Sequence, residues 1–98
     1  MTVDNDICLN ITFTPAVPLK ARHQLEESLE AVFEAEELGE VDGGGGFVDG
    51  SECNIYLYVA DVTKALPAIR QVLQSAKVPE STVIKQEDPE EVVHPVYA

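Results

Sequence analysis

Two cysteines, two histidines and eighteen carboxylates are the groups in this 98-residue chain suited to covalent, metal or acid–base chemistry. A nucleophilic Cys8 would need a base within hydrogen-bond reach and a third group to orient it. Neither His23 nor His94 is a neighbour in sequence, and acidic surroundings raise a thiol pKa rather than lower it. His23 stands three and four residues before Glu26 and Glu27, a spacing that gathers all three on one helix face as potential cation ligands. The ordinary reading of such a histidine is a solvated surface residue. The run Gly43-Gly44-Gly45-Gly46 offers consecutive backbone N–H groups of the kind that cradle anions. A phosphate loop, however, needs Gly-Lys-Ser/Thr opening a helix, and here Phe47-Val48-Asp49-Gly50 and a strand follow. Glu40, Asp42, Asp49 and Glu52 around the run oppose phosphate, and their spacing is not that of an EF-hand calcium loop. No catalytic residue, metal site or cofactor is expected.

The elements that position these groups follow from periodicity. Ile7, Leu9, Ile11 and Phe13 alternate with Cys8, Asn10, Thr12 and Thr14, a half-buried strand closed by Pro15 and Pro18. From Lys20 to Leu38 the period lengthens: Ala21, Leu25, Leu29, Val32 and Phe33 form an apolar stripe opposite Glu26, Glu27, Glu30, Glu34 and Glu37. Gly39 then suits the left-handed residue that ends many helices. Asp49-Gly50 predicts a two-residue hairpin turn joining a strand over 40–48 to the alternating strand Cys53, Ile55, Leu57 and Val59. That turn pairs Val48 with Ser51, Phe47 with Glu52, Gly46 with Cys53 and Gly43 with Tyr56. Uninterrupted pairing would then aim the Asp42 carboxylate at the core beside Leu57. An extra residue restores Val41 to that place, so a β-bulge is predicted within Gly43–Gly46.

Asp61 or Thr63 caps a second helix with the stripe Leu66, Ile69, Val72, Leu73 and Ala76, and with Pro67 expected near its first turn. Residues 81–86 form a last, weaker strand. Residues 87–98, with Pro89 and Pro95, are an extended or partner-contacting tail without a definite place. The order β-α-β-β-α-β predicts an α+β fold: the ferredoxin-like split plait, a four-stranded antiparallel sheet with two helices on one face. Residues 1–98 read as a single domain. Leu, Ile, Val and Phe supply 29 of the 98 residues, enough for a small core.

Strand parity sorts the side chains. Cys53 points inward with Ile55 and Leu57, whereas Cys8 points away, so the two are not expected to pair. The face away from the helices collects Asn10, Thr12, Asn54, Tyr56 and Tyr58 as interface candidates. Gly39, Gly43, Gly44, Gly45, Gly46 and Gly50 are the structural glycines. Two tyrosines on a third strand suggest the base-stacking face of RNA-recognition modules. The basic-glycine-aromatic run of those modules is absent, and a net charge of −12 repels phosphate, so no nucleic acid and no anionic membrane is expected as a partner. No stretch approaches the roughly 20 apolar residues of a bilayer span. Met1-Thr2-Val3-Asp4-Asn5-Asp6 lacks the basic and apolar regions of a secretory signal, so a cytoplasmic location is expected.

The leading expectation is a protein-interaction module without catalysis, associating through its open sheet face as a homodimer or with a partner protein. The alternatives are a regulatory domain binding a metabolite or ion at a dimer edge, and an immunity- or antitoxin-like or nucleic-acid-mimicking binder of a basic protein. The last would use the acidic face of Glu26, Glu27, Glu30, Glu34 and Glu37.

Overall fold

A computed structural model describes residues 7–46, 50–86 and 91–97. In chain order the elements are β1 (Ile7–Phe13), α1 (Leu19–Glu36), β2 (Gly39–Gly46), β3 (Cys53–Val59), α2 (Val62–Ser75), β4 (Val83–Gln86) and β5 (Val92–Pro95). The strands form one antiparallel sheet in the order β2-β3-β1-β4-β5. Alternation in β1 and β3 builds the core: Leu9 stands opposite Leu57 and Ile11 opposite Ile55, with Ile84 of β4 on the other side of Ile11. These side chains are buried with Leu25, Leu29 and Phe33 of α1 and Ala65, Ile69 and Leu73 of α2. Both helices therefore cover the same sheet face. Burying each large aliphatic or aromatic side chain contributes about 1.5 to 3 kcal/mol, which fixes the strand parity.

The sheet has five strands where four were expected. The tail supplies the fifth, because α2 holds its backbone from the side: Arg70 Nε donates to the Pro95 carbonyl at 3.0 Å and Gln74 Nε2 to the Val96 carbonyl at 2.7 Å. Val96 is buried in the core, and the Tyr97 hydroxyl donates to the Val78 carbonyl at 2.6 Å. Residues 87–90, at the start of the tail, lie outside the described residues.

Gly39 does not end α1. Glu37 takes the left-handed conformation at φ 52°, and the Leu38 N–H donates to the Phe33 carbonyl. Gly39 instead opens β2 at φ 155°, so close to β3 that a Cβ there would overlap the Tyr58 carbonyl oxygen. The bulge falls one residue before the glycine run. Val41 pairs with Leu57 and Gly43 with Tyr56, which makes Asp42 the extra residue, and Gly43 takes up the distortion at φ 101°. The pairing of Gly46 with Cys53 is as expected. The partners assigned to Phe47 and Val48, and the Asp49 half of the turn, lie outside the described residues.

Asp61 caps α2, its Oδ1 accepting from the Thr63 and Lys64 N–H groups at 2.9 and 3.4 Å. The row facing the sheet is Ala65, Ile69 and Leu73, while Leu66 and Val72 flank it half-buried and Ala76 is exposed. Pro67 lies in the second turn, not the first, on an exposed position where losing one helical N–H disturbs no packing. No described helix is long and apolar enough to cross a membrane.

Candidate functional site

The sheet face opposite the helices carries the residues that parity assigned to it. At its centre, β1 places Asn10 opposite Tyr56 and Thr12 opposite Asn54. The Asn54 amide donates to Asn10 Oδ1 at 3.0 Å and to Thr12 Oγ1 at 3.2 Å, and Thr12 Oγ1 donates to Asn10 Oδ1 at 3.3 Å. Thr12 is only 3 % exposed, a buried hydroxyl that this network satisfies. Three of the five interface candidates thus bond to one another. Tyr56 remains 38 % exposed, and its opposite number on β2, Gly43, has no side chain to flank the ring.

Tyr58 is half-buried opposite Cys8. Negative charge on the Cys8 sulfur and then on the Asp42 carboxylate disfavours its phenolate, and partial burial adds to them, so the Tyr58 pKa is raised above its ordinary value. Cys53 is buried in the core on the opposite side of the sheet from Cys8, and the two cysteines form no disulfide.

Sequence reasoning missed the other half of this face. Register places Val83 opposite Thr12 and Lys85 opposite Asn10, with Pro95 and Val93 of β5 beyond them. Val93 is 52 % exposed. The inward parity of Ile84 was enough to assign Val83 and Lys85 to the open face, but Val93 and Pro95 required knowing that the tail is a strand.

The acidic face of α1 is less uniform than its periodicity implies. Glu27, Glu30, Glu34 and Glu37 are exposed, whereas Glu26 is half-buried and faces Arg22, its carboxylate 4.0 Å from Arg22 Nε. Glu26 and Arg22 lean over the glycines of β2: a Cβ on Gly43 would meet the Glu26 carboxylate at 3.7 Å, and one on Gly44 would meet the Arg22 stem at 3.5 Å. His23 is exposed, and among the described residues no three His, Cys, Asp or Glu side chains converge to hold a metal ion.

Between the two helices, on the side away from the sheet, lies a half-open groove of about 640 Å³. Ala21, Leu25, Val32, Val72 and Val78 give it an apolar floor, with Lys77 among its lining. The chain matches no family model, no curated protein and no solved structure.

Proposed function

We propose that this acidic chain is a cytoplasmic association module, a ferredoxin-like plait extended by one strand, which pairs through its open sheet face with a second copy of itself. The exposed apolar surface on that face carries the reading: Tyr56 at 38 % and Val93 at 52 %, on either side of a polar centre whose groups bond to one another. The internal bonds of Asn10 Oδ1, Thr12 Oγ1 and the Asn54 amide nitrogen lower the desolvation penalty of covering this centre. Tyrosine contributes contact area with few rotors to freeze. A two-fold axis through the face would bury the same patch twice.

The area sets the strength. Three strands of seven or eight residues and two of four, at about 3.3 Å per residue and 4.8 Å between strands, cover roughly 470 Å² per copy. A pair buries roughly 900 Å², near the lower bound of specific interfaces, so the dimer is weak and concentration-dependent. Sedimentation equilibrium across the micromolar to millimolar range should show it. Tyr56→Lys and Val93→Asp should each give a monomer that melts where dilute, monomeric wild type does, since both side chains are exposed. A wild-type monomer throughout that range, or a dimer indifferent to both substitutions, would refute the proposal.

A separate observation supports a ligand-sensing role. The groove between the helices falls within the roughly 300 to 1,000 Å³ of small-molecule sites and combines an apolar floor with Lys77. A thermal-shift screen of metabolites checks this reading. Val72→Trp would fill the groove and should abolish any stabilisation, and no stabilising compound at all would count against it.

A further inference from the structure

β2 is the last strand of the sheet on its side, eight residues long, and β3 occupies only one of its edges. The other edge directs alternate backbone N–H and C=O groups outward, unpaired by any described strand. Sheets commonly guard such an edge with proline, lysine or shortness. The far edge of this sheet has two of those devices, since β5 is four residues long and ends in Pro95. β2 has neither, and its guarding bulge at Asp42 comes before the glycine run: Gly43 to Gly46 carry no side chains, Gly44 and Gly46 are exposed, and a Cβ built on Gly45 would meet nothing within 4 Å.

The surroundings of this edge have a definite chemistry. Glu40 and Asp42 are exposed on β2 itself, and Glu52 is half-buried at the other end of the glycine run. Arg22 sits against Glu26 and offsets that one carboxylate, which leaves the strand with an acidic border. Beside Gly45 and Gly46 a shallow concavity of about 380 Å³ is lined by Leu19, Arg22 and Glu52, and Leu19 is 60 % exposed. A second copy of β2 would bring the same carboxylates against these. A cationic strand would complement them.

From this edge we infer a second binding surface: β2 accepts an extended, basic segment of a partner protein as a sixth strand, with main-chain hydrogen bonds to Gly43–Gly46 and Lys or Arg side chains toward Glu40, Asp42 and Glu52. An apolar residue of the same segment packs on Leu19. Strand addition of this kind takes affinity from the backbone and specificity from alternate side chains. It does not depend on the open face, because the added strand extends the sheet sideways.

The test uses the full chain and a labelled peptide of alternating lysine and valine, with three controls: the same peptide with glutamate for lysine, and two versions N-methylated at alternate residues in opposite phase. The lysine peptide should bind at low salt and weaken as salt rises. The glutamate peptide should not bind, and one N-methylated phase should lose binding while the other keeps it, since only one edge of an added strand faces β2. Glu40→Lys combined with Asp42→Lys should weaken binding about tenfold, as exposed ion pairs are worth up to a factor of about five each. NMR should show new amide protection confined to alternate residues of Gly43–Gly46. Equal binding of both N-methylated peptides would mean charge attraction without strand pairing and would overturn the inference. So would equal binding of the glutamate peptide, or no binding of the lysine peptide.

Discussion

Docking of the tail as β5 combines the α2 side-chain bonds to its backbone with one buried residue, Val96, and Val96→Ala tests the share of that residue. Val96 is 1 % exposed within the core, and the substitution removes two methyl groups from a site closed by Gln74 and by the Tyr97 hydroxyl bond to Val78. At about 0.8 kcal/mol per buried carbon, plus a cavity the neighbours fill incompletely, the expected loss is about 2 kcal/mol. For a domain of this size that corresponds to a fall in Tm of about 8 to 16 °C. Thermal unfolding followed by circular dichroism measures it, with Val93→Ala on the same strand as a control expected within about 0.5 kcal/mol. Tyr97→Phe deletes the hydrogen bond to Val78 and should cost about 1 kcal/mol by itself. If both substitutions act by releasing one docked segment, the double variant should lose less than the sum, because a released tail cannot be released twice. A Tm change below about 3 °C for Val96→Ala would refute a share of that size for Val96 in the docking.

Gly39→Ala should destabilise by about 2 to 3 kcal/mol, because its Cβ would overlap the Tyr58 carbonyl at a backbone angle that side chains rarely adopt, whereas Gly45→Ala, facing open space, should stay within about 0.5 kcal/mol in urea denaturation. Asn54→Ala leaves Asn10 Oδ1 and Thr12 Oγ1 without their shared donor and should cost about 2 kcal/mol in the same assay; no loss would mean that solvent replaces the amide freely. Absorbance titration should find Tyr58 ionising above the ordinary value of 10.0, and Cys8→Ala, which removes the largest cause, should bring it down. The folded-state pKa is the raised one, so this contribution to stability is complete below pH 10 and is lost as pH climbs through the folded value. Tyr58→Phe should flatten that alkaline decline.

Alternation in β1 and β3 was legible because one face of each strand is buried and the other is not, and the same contrast sorted the open-face residues by side. It could not say how deeply each lies. Thr12 has surface parity yet is buried, because Asn10, Asn54 and Val83 stand around it in the sheet. β5 was illegible for the opposite reason: Val92 and Val93 are both exposed, so the strand has no inward and outward sides to read, and its anchors are side chains of α2 reaching across to its backbone. The need for a bulge could be derived from the parity of Val41 and Leu57, but not its position. That depended on Gly43 taking a positive φ with Asp42 just before it. Glu26 was grouped with the solvated acids because it shares their helical spacing, whereas in the fold it is half-buried beside Arg22 and next to Gly43 of β2.

The distribution of the −12 charge gives the two proposed surfaces opposite responses to salt. On the open face the charged residues that register identifies are Lys85 on β4 and Glu40 on the outer strand β2, and the centre is amide and hydroxyl. A dimer formed there gains from buried aromatic and aliphatic area while bringing two acidic molecules together, so its net electrostatic term is repulsive. Raising the ionic strength shortens the screening length to about 8 Å at physiological salt and relieves that repulsion, so self-association should strengthen. The β2 edge works in the other sense. Attraction between its carboxylates and a cationic strand is screened by the same salt, and binding there should weaken. A single salt series on the wild-type chain, read once by sedimentation and once by peptide binding, therefore separates the surfaces without any substitution. Two responses of the same sign would mean that one surface, not two, accounts for both associations.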